Sequence, residues 1–215
     1  MQRLIAAGAQ LVDVLPEREW KESHIAGAIH VPLKKLPELA PERLDTGRPV
    51  IVYCYDSLCD LSPRAAARLR TLGFPDVYDY AASKMDWIGE GLPFEGSLAA
   101  TARLSTLMEV DVPTCEPGDT VSDVRRRLGR WEFAVVVVGP ERVVVGLARA
   151  DAFDDDDGRP VATVMLEAPV THRPHITADD MAKQLEDHPM PWVLVTTLTG
   201  RFLGAARSDT VIAAR

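Results

Sequence analysis

The sequence predicts an α/β protein in two parts. Short strands and helices alternate from the start to about Gly96, the pattern of a layered domain with a mostly parallel sheet. The second half repeats itself. Between them lies Gly91–Thr101 (GLPFEGSLAAT), rich in small residues and read as a connecting stretch. With 215 residues, each part has enough chain to bury a core.

In the first part, residues 2–8 read as a helix and Gln10–Val14 as a buried strand. Pro16–Glu22 reads as helix, with proline at its start, and Ala28–Val31 as strand. Ile51–Cys54 is an apolar strand and Pro63–Leu72 an alanine-rich helix. Val77–Tyr80 completes the strands and Lys84–Gly89 forms a short helix.

In the second part, VPTCEPGDTVSDVRRRL (112–128) aligns with PVTHRPHITADDMAKQL (169–185) at an offset of 57. AVVVVG (134–139) aligns with WVLVTT (192–197), and GLARAD (146–151) with GAARSD (204–209), at an offset of 58. Each copy reads as turn, helix, strand, strand, helix. Thr120 and Thr177 are N-caps with an acid three residues on (Asp123, Asp180), close to a capping box. Two copies of this length are expected to pair and bury one shared core.

The net charge of −8 argues against nucleic acid as the main partner. No apolar run is long enough to span a membrane, and the start, MQRLIAAGAQ, lacks the apolar core of a signal peptide. Three cysteines are too few and too odd for a disulfide scaffold, so a reducing cytoplasm is expected.

Two of those cysteines share one loop. The strand ends on Cys54, and a polar loop follows: Tyr55, Asp56, Ser57, Leu58, Cys59, Asp60, Leu61, Ser62. Then Pro63 enters the helix. A thiol at a strand's carboxyl end and a helix's amino end meets unpaired N–H groups that favour an anion. Sites in open α/β sheets form at such strand ends. Cys54 is therefore the candidate nucleophile. Cys59 is either a resolving thiol for a persulfide or sulfenate on Cys54, or a small apolar loop residue. Asp56 and Asp60 oppose the thiolate and repel an anionic donor.

The first part resembles a rhodanese domain. LVDVLPEREWKESHIAGAIHVPL (11–33) is similar to that family's strand, acidic turn and "GHI-GA-N-P" segment, with Ser23 in the Gly place and His30 in the Asn place. VIVYC (50–54) resembles the strand that ends on the catalytic cysteine. YDYAASKMDWIGEGLPFEG (78–96) resembles the closing stretch, with Ala82-Ser83 in the place of a Gly pair, followed by Trp87. The resemblance implies a sulfurtransferase that moves a sulfane sulfur through a Cys54 persulfide, from a small sulfur donor to a thiol or cyanide-like acceptor, with no cofactor. The family usually adds a short strand before residue 2, whose absence implies a trimmed or late start. The loop is about two residues longer than the usual one and carries no base. Longer loops in the superfamily go with phosphate- or arsenate-directed chemistry, but those carry a late loop Arg, and the first Arg here is Arg64, inside the helix.

The second part resembles a tandem pair of cystathionine-β-synthase (CBS) domains. The resemblance implies an adenine nucleotide (AMP, ADP, ATP or S-adenosylmethionine) between the repeats and a homodimer formed through the pair. Asp151 and Asp209 fill the acidic role, while Arg149 and Arg207 stand near the place of a Thr or Ser. Each Arg either grips phosphate, fills the cleft or pairs with an acid. Thr114 and Thr171, matched by the repeat, complete the candidate nucleotide set. The expected layout is a rhodanese-like parallel-sheet domain over 1–96, a linker over 97–104 and a CBS pair over 105–215, with repeats at about 105–156 and 160–215.

The remaining polar residues read as structural. Asp13 anchors the turn after its strand. His24 and His30 are satisfied histidines. His172 and His175 lack an acid or thiol to complete a metal set. The run Asp154–Asp157 lacks the alternating spacing of a calcium loop and reads as a solvated linker. Trp131 and Trp192 line the core between repeats.

Overall fold

The computed structural model describes residues 1–153 and 158–215. The aspartate run 154–157 lies outside the described residues. The chain divides into two compact units, Met1–Thr101 and Ala102–Arg215.

In the first unit the elements are α1 (Gln2–Ala6), β1 (Gln10–Asp13), α2 (Glu17–Glu22), β2 (His24–Ile25), β3 (Ile29–His30), α3 (Leu36–Arg43), β4 (Val50–Tyr53), α4 (Leu61–Thr71), β5 (Val77–Asp79), α5 (Ser83–Gly89) and β6 (Phe94–Glu95). Four strands form a parallel sheet in the order β3-β1-β4-β5. β1 and β4 are buried along their whole length, as central strands covered on both faces must be. Alternation splits their side chains. Val12, Val50, Val52 and Cys54 join Ala65, Ala66 and Leu69 of α4 in one core, while Leu11, Ile51 and Tyr53 meet Ile25 and Trp87 in another.

Three local features depart from the sequence reading. α3 forms over a stretch to which the sequence reading assigns no element: Pro37 sits in the first turn, where its missing N–H costs nothing, and Leu36 and Ala40 bury the inner face. Pro16 is the N-cap of α2 rather than its first residue. β2 and β6 pair antiparallel, His24 with Glu95 and Ile25 with Phe94, so the small-residue stretch is partly built into the fold. Beyond it, the Ser97 and Leu98 amides donate to the Lys21 and Glu22 carbonyls. Further along, Ala102 and Leu104 bond to Ala178 and Ile176 of the second unit. The segment 97–104 is thus divided between the two units.

The second unit contains α6 (Leu104–Leu107), β7 (Thr114–Cys115), α7 (Val121–Arg127), β8 (Phe133–Val138), β9 (Val143–Arg149), β10 (Leu166–Glu167), β11 (Thr171–His172), α8 (Ala178–Asp187), β12 (Trp192–Thr196), β13 (Phe202–Arg207) and α9 (Ser208–Ala213). The two copies build equivalent sheets, β10-β9-β8-β7 and β11-β12-β13. The turn that opens each copy carries a short strand, pairing Thr114 with Val135 and Thr171 with Leu194. Thr120 and Thr177 cap their helices, each hydroxyl accepting from the amide three residues on. The closing helix forms in the second copy as α9, whereas the described part of the first copy holds a single 3-10 turn, Ala150–Ala152.

The copies exchange their lead-in segments. Leu166, ahead of the second copy, pairs with Leu147 of β9 in the first. Glu109, ahead of the first copy, bridges to Ala205 of β13 in the second. These positions correspond through the repeat, so each sheet is completed by the other copy's leader. Trp131, Phe133, Val135, Leu194, Phe202 and Ala205 form the shared core.

Candidate active site and a cavity between the repeats

Strand alternation puts Cys54 on the same face as Val50 and Val52, against α4, and leaves it fully buried. Its thiol donates to the Cys59 carbonyl at 3.2 Å and meets Ser62 Oγ at 3.3 Å and Ser83 Oγ at 3.7 Å. α4 begins at Leu61, two residues before the expected start at Pro63, so buried Ser62 and Pro63 both fall in its first turn. Cys59 is half-buried and packs on the same core. Burial pushes its thiol up, as does the neighbouring Cys54 thiol, while the Tyr55 and Leu61 amides pull it down. The loop thus brings both thiols together, as free cysteines.

The acids of the loop are engaged locally. Asp56 accepts from the Leu58 amide at 3.0 Å, an Asx turn that holds the tip, and Asp60 lies 3.5 Å from Arg64. Tyr55 is partly exposed and Leu58 is 90% exposed, so this tip meets solvent. Ser57 is exposed at the same tip.

Two residues that sequence reasoning passed over complete the site. Ser83 takes a left-handed backbone, φ 61°, where the resemblance places a Gly pair. Its hydroxyl accepts from the buried Cys54 amide at 3.2 Å and donates to the Tyr80 carbonyl at 3.0 Å. Lys84 is almost wholly buried, and its ammonium donates to the Ser23 and Glu19 carbonyls at 2.7 and 2.9 Å. Burial lowers its pKa, against the pull of Asp13, Glu19, Glu22 and Cys54. The signal for Lys84 was in the chain: a cation inside a helix whose neighbours Met85, Trp87 and Ile88 are all core residues.

Asp13 also lies under this site. One carboxylate oxygen accepts from the Leu15 amide at 2.8 Å, and burial raises its pKa. It thus holds the turn after β1. His24 and His30 both stack on Trp20, at 3.5 and 4.8 Å between centroids, and each bonds a backbone carbonyl. The third cysteine, Cys115, is buried in the core of the first repeat, which pushes its thiol up to about 11.

Between the repeats lies a cavity of about 540 Å³. Phe133, Leu147, Leu166, Val170, Trp192 and Leu194 give it apolar walls, and Arg149 and Asp151 stand at its polar side. Arg149 and Asp151 form a two-pronged ion pair at 2.7 and 3.2 Å. Arg207 and Asp209 do the same at 2.6 and 2.9 Å, which holds the Asp209 carboxyl down at about 2. Of the ways each Arg was expected to act, both pair with their own acid. Arg207 also stacks over Trp192, 5.4 Å from its ring centre. Thr114 and Thr171 lie outside the cavity wall: Thr114 accepts from Arg142 at 3.2 Å, and Thr171 from Thr196 at 3.1 Å. Arg207 and Asp209 are likewise outside it.

Residues 1–90 match the rhodanese-like domain family. The thiosulfate sulfurtransferase GlpE of Coxiella burnetii is 35% identical over 77 residues, which cover 36% of this chain and 69% of that protein. An HTH-type transcriptional regulator of Mycobacterium tuberculosis is 32% identical over 95 residues; these cover 44% of this chain, which spans about two fifths (41%) of the regulator's length. Among solved structures, the CBS-pair protein CBSX2 of Arabidopsis thaliana superposes on 54% of this chain and 94% of its own with a TM-score of 0.47 and 16% identity, and CBSX2 has also been solved in complex with AMP. Among the described residues no helix is long and apolar enough to cross a membrane. A strand-end thiol in a parallel sheet, a family match over the same residues and a relative covered over more than two thirds of its length lead to one conclusion: the chain belongs to the rhodanese-like family.

Proposed function

We propose that the protein is a sulfurtransferase in which Cys54 carries the transferred sulfur as a persulfide. The observation that carries this reading is the polar shell around an otherwise core-facing thiol: Ser62, Ser83 and the Cys59 main chain within 3.7 Å. A packed strand end alone has no use for such a shell. Attack by the Cys54 thiolate on the sulfane sulfur of thiosulfate forms Cys54–S–S⁻ and expels sulfite. The Ser62 hydroxyl can turn to donate to the sulfur anion. An acceptor thiolate then takes the outer sulfur as its own persulfide and returns Cys54 as thiolate. Alternatively, Cys59 attacks the inner sulfur, expels hydrosulfide and leaves a Cys54–Cys59 disulfide, which an external thiol must reduce.

The test is the intact mass after incubation with thiosulfate or a low-molecular-weight persulfide. Cys59→Ala, which lacks the resolving thiol, is expected to gain one sulfur and Cys54→Ala none, while wild type gains one sulfur or, where Cys59 resolves the persulfide, loses two hydrogens to the disulfide. No gain in Cys59→Ala with either donor would sink the enzyme reading. The full burial of Cys54 favours a second reading, a non-catalytic ligand- or redox-sensing module on the same fold. That reading predicts no sulfur gain, but a reversible Cys54–Cys59 disulfide under mild oxidant.

The cavity between the repeats supports an adenine nucleotide as a regulatory ligand. Its size suits a drug-sized molecule. Trp192 and Phe133 offer faces for a purine, and Arg149 can exchange its Asp151 partner for phosphate. AMP, ADP, ATP and S-adenosylmethionine are to be compared by thermal shift. A native-state ligand raises the melting temperature, and Arg149→Ala should abolish that rise. A homodimer through the second unit and a cytoplasmic setting belong to the same proposal; light scattering checks the first.

A further inference from the structure

The sulfur-transfer reading leaves a difficulty, because the cysteine loop carries two acids and no base. The tertiary structure supplies bases from elsewhere. At the carboxyl ends of β1 and β3 opens a cleft of about 570 Å³. Lys34, Lys35 and Arg43 from the segment after β3 and Arg64 from α4 line it, with His30 beside them and Glu17 as the one carboxylate. Glu17 is already paired with Lys21 at 2.7 Å. Four cationic side chains thus line one cleft of a chain whose net charge is −8, with Arg64 shared with Asp60 at 3.5 Å. Leu61 connects the cleft to the thiols: it lines the cleft and packs on the same core as Cys54 and Cys59.

We infer that this cleft binds the carboxylates of a small anionic thiol, the sulfur acceptor, while the thiol itself reaches the cysteine loop. The inference rests on the sulfur-transfer reading for the acceptor's role, not for its binding. Thiosulfate and sulfite are far smaller than the cleft, which matches a ligand of about tripeptide size. The arginines suit carboxylates by their two-pronged geometry, and the lysines add attraction that salt screens.

The test uses glutathione as the probe, with its diethyl ester as the same thiol without the carboxylates. The variant is Lys34→Glu/Lys35→Glu, whose side chains are exposed. In sulfur transfer from the loaded protein, kcat/KM for glutathione should fall roughly tenfold in the variant, while that for the diester should not fall. Added salt should raise KM for glutathione only. Binding of the unreactive S-methylglutathione, followed by NMR or calorimetry, tests the cleft even if the protein never loads sulfur. Saturable binding that the variant weakens supports the cleft. No saturable binding, or equal binding to both proteins, overturns it. Failure of sulfur loading alone strikes the enzyme reading instead.

Discussion

Ser83 shows how one residue can hold the strand end that carries Cys54. Its left-handed backbone is costly for a side chain with a Cβ, yet its hydroxyl satisfies the buried Cys54 amide. Ser83→Ala keeps the strain and orphans that amide, so it should lose about 1–3 kcal/mol in urea unfolding. Ser83→Gly relieves the strain and should lose less than Ser83→Ala. Asp13 makes a second prediction. Burial raises its folded pKa above the unfolded value, so the native state holds the proton more tightly. The stability it contributes is present below the unfolded pKa and is lost as pH rises through the folded one. Asp13→Asn keeps the side chain neutral at every pH. Its stability relative to wild type should therefore improve from about pH 4 to about pH 7, as read by urea midpoints.

At the scale of elements, the exchanged leaders demand glycine where they cross a strand. A Cβ at Gly204 would lie 2.4 Å from the Glu109 carbonyl oxygen, a backbone atom fixed by its bridge to Ala205. At the equivalent Gly146 it would lie 2.6 Å from Met165 Sδ, the movable part of a flexible side chain. Gly204→Ala should therefore destabilise the protein by at least ~1 kcal/mol more than Gly146→Ala, measured by denaturant midpoint. The order β3-β1-β4-β5 acts in the same way on the site. It sets the carboxyl ends of β1, β3 and β4 side by side, so residues more than 20 positions apart share one cleft.

At the scale of the whole molecule, each unit has its own cores. Among the described residues, no core cluster of the first unit draws residues from the second. Fragments 1–101 and 102–215 should each fold, giving cooperative melts by circular dichroism. Fragment 1–101 should keep the sulfur gain on Cys54. A fragment that stays unfolded, or a loss of loading in a folded one, would show that the units depend on one another.

The four strands of the parallel sheet and the helices α1, α2, α4 and α5 of the first unit, the duplication in the second, the threonine caps and the position of Cys54 were legible in the sequence. These depend on local periodicity, on capping chemistry and on self-similarity, each written in neighbouring residues. α3 was not legible, because two prolines mask eight residues whose helix depends on burying Leu36 and Ala40. Nor was the pairing of Arg149 with Asp151 and of Arg207 with Asp209, since a charge two residues away can point either to a partner or to a ligand. The loop read alone is acidic and poorly suited to an anion. Only the tertiary structure brings Ser83 onto Cys54, buries Lys84 against the Glu19 and Ser23 carbonyls and gathers Lys34, Lys35, Arg43 and Arg64 beside the loop. The physical reason is that charge acts through space, and strand order, not sequence distance, decides which charges are near the sulfur.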